Sequence, residues 1–241
     1  MTNKDLTIII TTFKSEDKIE NCLNSINTSI NVIIVENSNN EKFKHYIEKK
    51  YPNVNCMLTN QNLGYGKANN VGLRKSTSKY SLILNPDTVL DTEAINNFFI
   101  FSKKNINFAM AGPAQSKKEF ALVSSLENKN LNFLETDKIE GFAMFLNMDK
   151  FRSIGFFDEN IFLYLEEIDL CRRARNVNEK IFILPAVKIL HFEGKSVNRL
   201  FSHQVELTRN WHWMWSLFYY NRKHKNYFFA LILVLPKLFS A

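Results

Sequence analysis

KYSLILNPDTVLD, residues 79–91, carries an apolar run, Leu82-Ile83-Leu84, that breaks at Asn85-Pro86-Asp87-Thr88. Asn, Pro, Asp and Thr are ordinary turn residues, so a turn is one reading. The other is that a buried strand delivers Asp87 to a metal or phosphate site. Pro86 fixes its own φ and helps to set where Asp87 points. The neighbouring segments bear on the choice.

Upstream, LTIIITTF (Leu6–Phe13) is β-branched and apolar and predicts a buried strand. SEDKIENCLNSI follows with Ile19, Cys22, Leu23 and Ile26 at helical spacing and Ser15 as the expected N-cap. NVIIVENS predicts a second strand, EKFKHYIEKKY a second helix, VNCMLTN a third strand and GKANNVGLRKS a third helix. Strands alternating with helices imply βαβ units and a parallel sheet, where ligands bind at the carboxyl ends of the strands. The polar clusters Thr11-Thr12, Glu36-Asn37-Ser38, Asn60–Gly66 and Asn85-Pro86-Asp87 all fall at such ends. The phosphate loops GxGxxG and GxxxxGK[ST] are absent.

The whole chain has 241 residues, 45% hydrophobic, enough for one large α/β domain with a full core. Its cysteines, Cys22, Cys56 and Cys171, are odd in number and form no CxxC pair, which argues against a zinc site or disulfide framework and suits a reducing cytoplasm. The N-terminus enters a strand-like run without a signal-peptide design. The net charge is +7, and Lys195, Arg199, Arg209, Arg222, Lys223 and Lys225 stand against the single acid Glu206. The same segment holds Trp211, Trp213, Trp215, Tyr219 and Tyr220 and leads into an apolar run, Tyr227–Leu235. That run is too short to span hydrocarbon, which takes about 20 residues as helix. It suits interfacial attachment to a membrane, or a terminal helix packing its aromatics on the main domain.

In the second half, residues 115–138 are polar and are expected to form a mobile loop able to close over a substrate. GFAMFLN predicts a strand, and KIFILPAVKILHFEGKS two short strands bracketing Pro185. Glu166-Glu167-Ile168-Asp169 follows the aromatic run Phe162-Leu163-Tyr164. Acids favour a helix N-terminus, and Asp169 can pair with Arg172 or Arg173. The apolar run before them can also desolvate one carboxylate and raise its pKa toward a base's working range. His191 closes the apolar stretch VKILH and is either a packed core histidine or a metal ligand partnering Asp87.

In this order, TIIITTFKSEDKIENCLNSI, VIIVENS, NLGYGKANNVGL, LILNPDT, GFAMFLNMDKFRSIGFFDENIFLYLEEIDLCRRAR and HFEGKS resemble family 2 glycosyltransferases of GT-A fold, in particular the rhamnosyltransferase-like branch of bacterial cell-surface polysaccharide synthesis. The resemblance runs from Thr7 to about Ser196. It implies a Rossmann-like, mostly parallel central sheet flanked by helices, with a C-terminal helical membrane-associating extension. Residues 1–198 would form the catalytic domain, with a nucleotide-binding half to about residue 90 and an acceptor half over 91–198; residues 199–241 would be the attachment segment. Thr11, Thr12, Glu36, Asn62, Gly64, Lys67, Asn69, Asn85 and Asp87 are implied to bind the nucleotide sugar. Asp87 and His191 are implied to hold Mn²⁺ or Mg²⁺, with Asn85 standing where the family's Asp-x-Asp motif has an acid. Glu167 aligns with the catalytic base, with Glu166 beside it. Glu36 stands where Asp is more usual, and Phe13 where Tyr is common.

The implied activity is inverting transfer of a sugar, rhamnose from dTDP-rhamnose or otherwise a hexose from a UDP-hexose, to a hydroxyl of a lipid-linked or oligosaccharide acceptor, as in lipopolysaccharide synthesis. The implied place is the cytoplasmic face of the inner membrane, peripherally, or the cytoplasm, with no nucleic-acid partner. The alternative from another class is a catalytically silent nucleotide-sugar-binding or scaffold module of the same fold.

Overall fold

The β-branched run Leu6–Thr12 becomes β1, buried along its whole length, as a strand covered on both faces must be. β2 (Asn31–Glu36) and β4 (Tyr80–Leu84) pair with it in parallel, and β3 (Val54–Leu58) pairs with β2. Helices α1 (Glu16–Asn24), α2 (Glu41–Lys50) and α3 (Tyr65–Lys75) make the crossovers. The register sets Thr12 beside Glu36 and Glu36 beside Leu58, with Ile10 beside Leu84. All four polar clusters therefore lie along one edge, as the alternation predicted. The computed structural model describes residues 2–104, 107–114, 133–192 and 202–238.

The second half departs from the simple alternation. After β5 (Thr88–Leu90) and α4 (Ala94–Ser102) come β6 (Met110–Pro113), β7 (Leu134–Glu135), β8 (Ala143–Asn147), α5 (Met148–Ile154), α6 (Glu166–Asn176), β9 (Ile181–Leu184) and β10 (Ile189–His191). Among the described residues the main sheet has the order β3-β2-β1-β4-β8-β6-β9-β7, and β8 enters antiparallel between β4 and β6. β5 and β10 form a separate antiparallel pair that sets His191 opposite Thr88. The two short strands around Pro185 are thus β9 and β10, but they belong to different sheets. Of the expected loop over 115–138, residues 115–132 lie outside the described residues, as does the stretch from Glu193 of HFEGKS onward.

One face of the sheet packs a ladder of rings, with Tyr80 on Phe145 at 4.9 Å and Phe98 on Phe145 at 4.7 Å between centroids. Removing such a buried ring costs about 3–5 kcal/mol, so this face carries much of the stability. The opposite face packs Ile9, Ile83 and Met144 with Leu73 of α3, Phe151 of α5 and Leu170 of α6. One local expectation is not met: Ser15 stands at the start of α1 without capping it and instead accepts from Phe13 N at 3.3 Å, whereas α2 is capped by Asn40, which accepts from Phe43 N at 3.0 Å.

The C-terminal segment forms two helices, α7 (Ser202–His224) and α8 (Tyr227–Leu238). One face of α7 is bonded to the main domain. Ser216 Oγ donates to Leu163 O at 2.7 Å, Tyr219 OH donates to Asp158 Oδ2 at 3.0 Å, and His212 stacks on Phe162 at 4.2 Å. Lys223 Nζ bridges Asp158 Oδ2 and Asp169 Oδ1, each at 2.7 Å. Elsewhere on the pair Trp211 of α7 is 60% and Phe228 of α8 77% exposed, with Leu207, Trp215, Ile232 and Leu235 also exposed. Domain packing and unburied apolar side chains therefore coexist on one helix pair. No described helix is long and apolar enough to cross a membrane.

Burial opposes charge on Asp158, yet the Lys223 ammonium and the Asn160 amides hold its pKa down to about 2. A carboxylate depressed in the fold stabilises above its ordinary pKa and loses that contribution as pH falls toward the lowered value. The clamp on α7 is therefore complete at neutral pH and weakens below about pH 4. Lys223→Met should cost roughly 1–3 kcal/mol in urea unfolding at neutral pH, discounted for the partial exposure of the pair, and much less in acid.

Candidate active site

The turn after β4 is built to hold Asp87. Asn85 N donates to Phe142 O at 2.9 Å, and Thr88 Oγ1 donates back to Asn85 O at 2.7 Å. Phe192 N donates to Asp87 O at 3.0 Å, which ties the turn to the strand carrying His191. The imidazole stacks on Phe142 at 4.6 Å and 7° and sets Nε2 3.4 Å from Asp87 Oδ1 and 3.4 Å from Asn85 Nδ2. Asp87 is buried, and Asn85 Oδ1 is buried with no hydrogen-bond partner among the described residues. The opening stretch is a turn, and it brings the Asp87 carboxylate and the Asn85 amide beside the His191 imidazole.

Glu166 and Glu167 line a cavity of about 420 Å³ together with Asn85, His191, Tyr65 and Trp213. α6 begins at Glu166, so Glu166 and Asp169 share a face and are 3% and 0% exposed. Their roles separate. Asp169 accepts from Arg173 Nε at 2.7 Å and Lys223 Nζ at 2.7 Å, and its Oδ1 lies 2.6 Å from His224 Nε2. Of the two arginines open to it from the sequence, Arg173 is the partner; Arg172 reaches Tyr220 OH and His224 O. Asp169 is a structural anchor.

Glu166 Oε2 has no hydrogen-bond partner among the described residues, and burial, then the charge of Glu167, pushes the pKa of Glu166 up to about 8. Burial also raises Glu167, with Glu140 adding to the rise and Lys138 opposing it. Near neutral pH Glu166 is mostly protonated, and Glu167, half-buried on the cavity wall, is the better proton acceptor of the two.

A carboxyl whose pKa rises on folding binds more protons in the native state, so its effect on stability worsens as pH rises from about 4.5 to about 8. The wild type should lose on the order of a few kcal/mol over that interval from this group. Glu166→Gln, which mimics the protonated acid, should flatten the loss. Urea unfolding at about pH 5 and about pH 9 reads the difference.

Backbone geometry explains why the acids stand where they do. Tyr164 and Leu165 both adopt left-handed φ, 70° and 69°, immediately before α6. Such residues cost roughly 1–3 kcal/mol each and persist where surroundings over-determine them. Here Tyr65 N donates to Phe162 O at 2.9 Å from one side, and Ser216 grips Leu163 O from the other. A Cβ at Gly64, itself at φ 78°, would collide with that same Phe162 carbonyl, so the glycine permits the approach of α3. Tyr65 OH donates to Gly141 O at 2.6 Å and closes the floor of the cavity.

The residues expected to bind the nucleotide lie along the strand ends with unequal freedom. Thr11 Oγ1, Thr12 Oγ1 and Asn69 Oδ1 are buried without hydrogen-bond partners among the described residues. Glu36 is engaged by its own turn, accepting from Ser38 N at 3.0 Å, Ser38 Oγ at 2.5 Å and Asn40 N at 2.6 Å. Asn62 accepts from Asn37 Nδ2 at 2.9 Å, and Lys67 pairs with Glu159 at 3.8 Å. Asn70 ties α3 to Phe157. One cavity residue was not singled out from the sequence: Trp213 reaches the cavity from α7. Trp213 could not be told from its neighbours before the helix faces were known.

Residues 7–161 match the family model for glycosyl transferase family 2, so Glu166, Glu167 and His191 stand beyond the matched stretch. The chain is 27% identical over 225 residues to the low-salt glycan biosynthesis hexosyltransferase Agl10 of Haloferax volcanii, covering 84% of this chain and 72% of that protein. It is 25% identical to the dTDP-rhamnosyl transferase RfbF of Shigella flexneri, covering 81% and 72%. Among solved structures it superposes on the mannosyltransferase PcManGT of Pyrobaculum calidifontis in complex with GDP-Man and Mn²⁺, with TM-score 0.65 and 14% identity, covering 90% of this chain and 64% of that one. That likeness shows the fold, the mixed α/β GT-A architecture with a central eight-stranded sheet. A family match over more than half its length means that this chain belongs to glycosyl transferase family 2.

Proposed function

We propose that this glycosyltransferase moves a hexose from a nucleotide diphosphate sugar, rhamnose from dTDP-rhamnose by preference and a UDP-hexose otherwise, to a hydroxyl of a lipid-linked glycan, with inversion. The observation that carries the reading is that Asn85, His191, Glu166 and Glu167 line one cavity. The relatives Agl10, named a hexosyltransferase, and RfbF, named a dTDP-rhamnosyl transferase, favour the donor class.

A divalent cation fits beside Asp87 and His191. Asp87 supplies a carboxylate and His191 an imidazole, 3.4 Å apart, a donor pair suited to Mn²⁺ or Mg²⁺. No group of three or more His, Cys, Asp or Glu gathers for a metal among the described residues, so the remaining positions would fall to the diphosphate and water. When bound, the cation neutralises charge developing on the leaving diphosphate.

This chain's own residues do the rest. Glu167 takes the proton of the acceptor hydroxyl at a carboxylate oxygen as that hydroxyl attacks the anomeric carbon. Glu166, kept protonated by burial, limits the charge beside it. Thr11, Thr12 and Asn69 present unpartnered oxygens to the nucleotide, and the Glu36 turn acts by shaping the rim. Residues 1–198 work as the transferase proper, while 199–241 attach the enzyme to the cytoplasmic face of a membrane. The exposed Trp211, Trp215, Phe228 and Ile232 enter the interface, with Arg222 and Lys225 beside anionic headgroups.

A thermal-shift screen tests the reading: dTDP- or UDP-sugars should raise Tm with Mn²⁺ present and much less without it. No shift from any nucleotide sugar would sink it. Salt-sensitive sedimentation with anionic vesicles, but not with neutral ones, tests the attachment.

A further inference from the structure

Trp213 stands on α7, outside both the matched family stretch and the strand ends, yet its indole forms part of the cavity wall that holds Glu166 and Glu167. The three tryptophans of α7 alternate in sequence and so divide between faces. At 3.6 residues per turn Trp211 and Trp215 lie about 40° apart, and Trp213 lies about 160° from each. Trp211 and Trp215 look away from the domain, while Trp213, 37% exposed, borders the cavity.

The position of Trp213 is fixed on both sides. One residue earlier, His212 stacks on Phe162; three residues later, Ser216 Oγ is bonded to Leu163 O. Tyr164 meets the indole edge-on, at 5.7 Å between centroids and 81° between planes. That tyrosine is the first of the two left-handed residues that lead straight into Glu166. The segment from Phe162 to Leu165 therefore couples the indole to the acid pair.

We propose that Trp213, braced by Tyr164, is the aromatic wall of the acceptor subsite, against which a pyranose ring of the acceptor stacks. The inference rests on the transferase reading above. A base must touch the acceptor's hydroxyl, so the side chains packed beside the base meet the acceptor rather than the nucleotide. A pyranose has one face of C–H bonds, which a flat aromatic surface covers while the hydroxyls remain free for polar groups. Glu140 and Lys138, on the same wall, supply such groups. Trp213 is then a specificity-determining residue for the sugar that bears the attacked hydroxyl.

The test uses the full chain, isotope-labelled, with dTDP or UDP and Mg²⁺ present and no detergent. Methyl pyranosides of glucose, galactose, mannose, rhamnose and N-acetylglucosamine are titrated to millimolar levels. The three indole N–H resonances, assigned by single Trp→Phe variants, are followed. The Trp213 resonance should move with at least one glycoside while those of Trp211 and Trp215 stay. With that glycoside as acceptor, Trp213→Ala should raise its KM about tenfold with the donor KM unchanged, and Trp213→Phe should restore most of the loss. No movement of the Trp213 resonance, or equal movement of all three, overturns the proposal, as does an unchanged acceptor KM. Nucleotide binding is read in the same samples by thermal shift. If neither nucleotide binds, the transferase reading falls; if one binds and Trp213 stays silent, the subsite alone falls.

Discussion

Glu167→Gln is expected to lower kcat by about 10²–10⁴-fold while donor affinity stays within about twofold of wild type. The amide keeps the volume and the cavity wall but cannot accept the proton of the attacking hydroxyl. Glu166→Gln should cost less than about tenfold, because Glu166 is mostly protonated near neutral pH and its amide reproduces that state. Turnover by nucleoside diphosphate release and donor binding by calorimetry separate the effects. The acid limb of the kcat profile should lie above the usual carboxylate range, since burial raises Glu167. Two adjacent, interacting acids titrate as a pair, so the limb reports the pair rather than one residue. A dead Glu166→Gln with an active Glu167→Gln would exchange the assignments.

Asp87→Ala should reduce transfer by about 10²–10⁴-fold and abolish the response to Mn²⁺, the scale on which a lost metal contribution of several kcal/mol appears. The fold should survive, because the turn is held by backbone groups: Asn85 N on Phe142 O, and Phe192 N on Asp87 O. Tm without ligand should therefore shift little, while the Mn²⁺-dependent rise with nucleotide sugar disappears. His191→Ala should be milder in activity but should also release the Phe142 stack. Full activity and full metal response in Asp87→Ala would remove the metal from this site.

What could be read from the residues follows the range of the interactions involved. β1 to β4 and the crossover helices were legible because hydrophobic periodicity is local, and the parallel register then follows from βαβ geometry. The insertion of β8 between β4 and β6 was not, since antiparallel pairing across such separations leaves no local pattern. His191 was legible as a candidate, yet its meeting with Asn85, 106 positions away, is made by the β5–β10 pair and the Phe142 stack. The three acids of α6 were visible as a cluster, but only packing separates them. Asp169 is spent on Arg173 and Lys223, Glu166 is buried without such partners, and Glu167 faces the cavity. Glu36 stands at a strand end, as expected of a nucleotide ligand, and what the sequence does not show is that its carboxylate also holds the following turn.

The most direct measurement is the fate of the anomeric carbon. The purified full chain is incubated with dTDP-rhamnose or a UDP-hexose, Mn²⁺ and a lipid-linked acceptor, and the glycosidic configuration of the product is read by NMR. Transfer should be Mn²⁺-dependent, give inverted configuration and be lost in both Asp87→Ala and Glu167→Gln. A product of retained configuration, or transfer that persists in either variant, would contradict this mechanism.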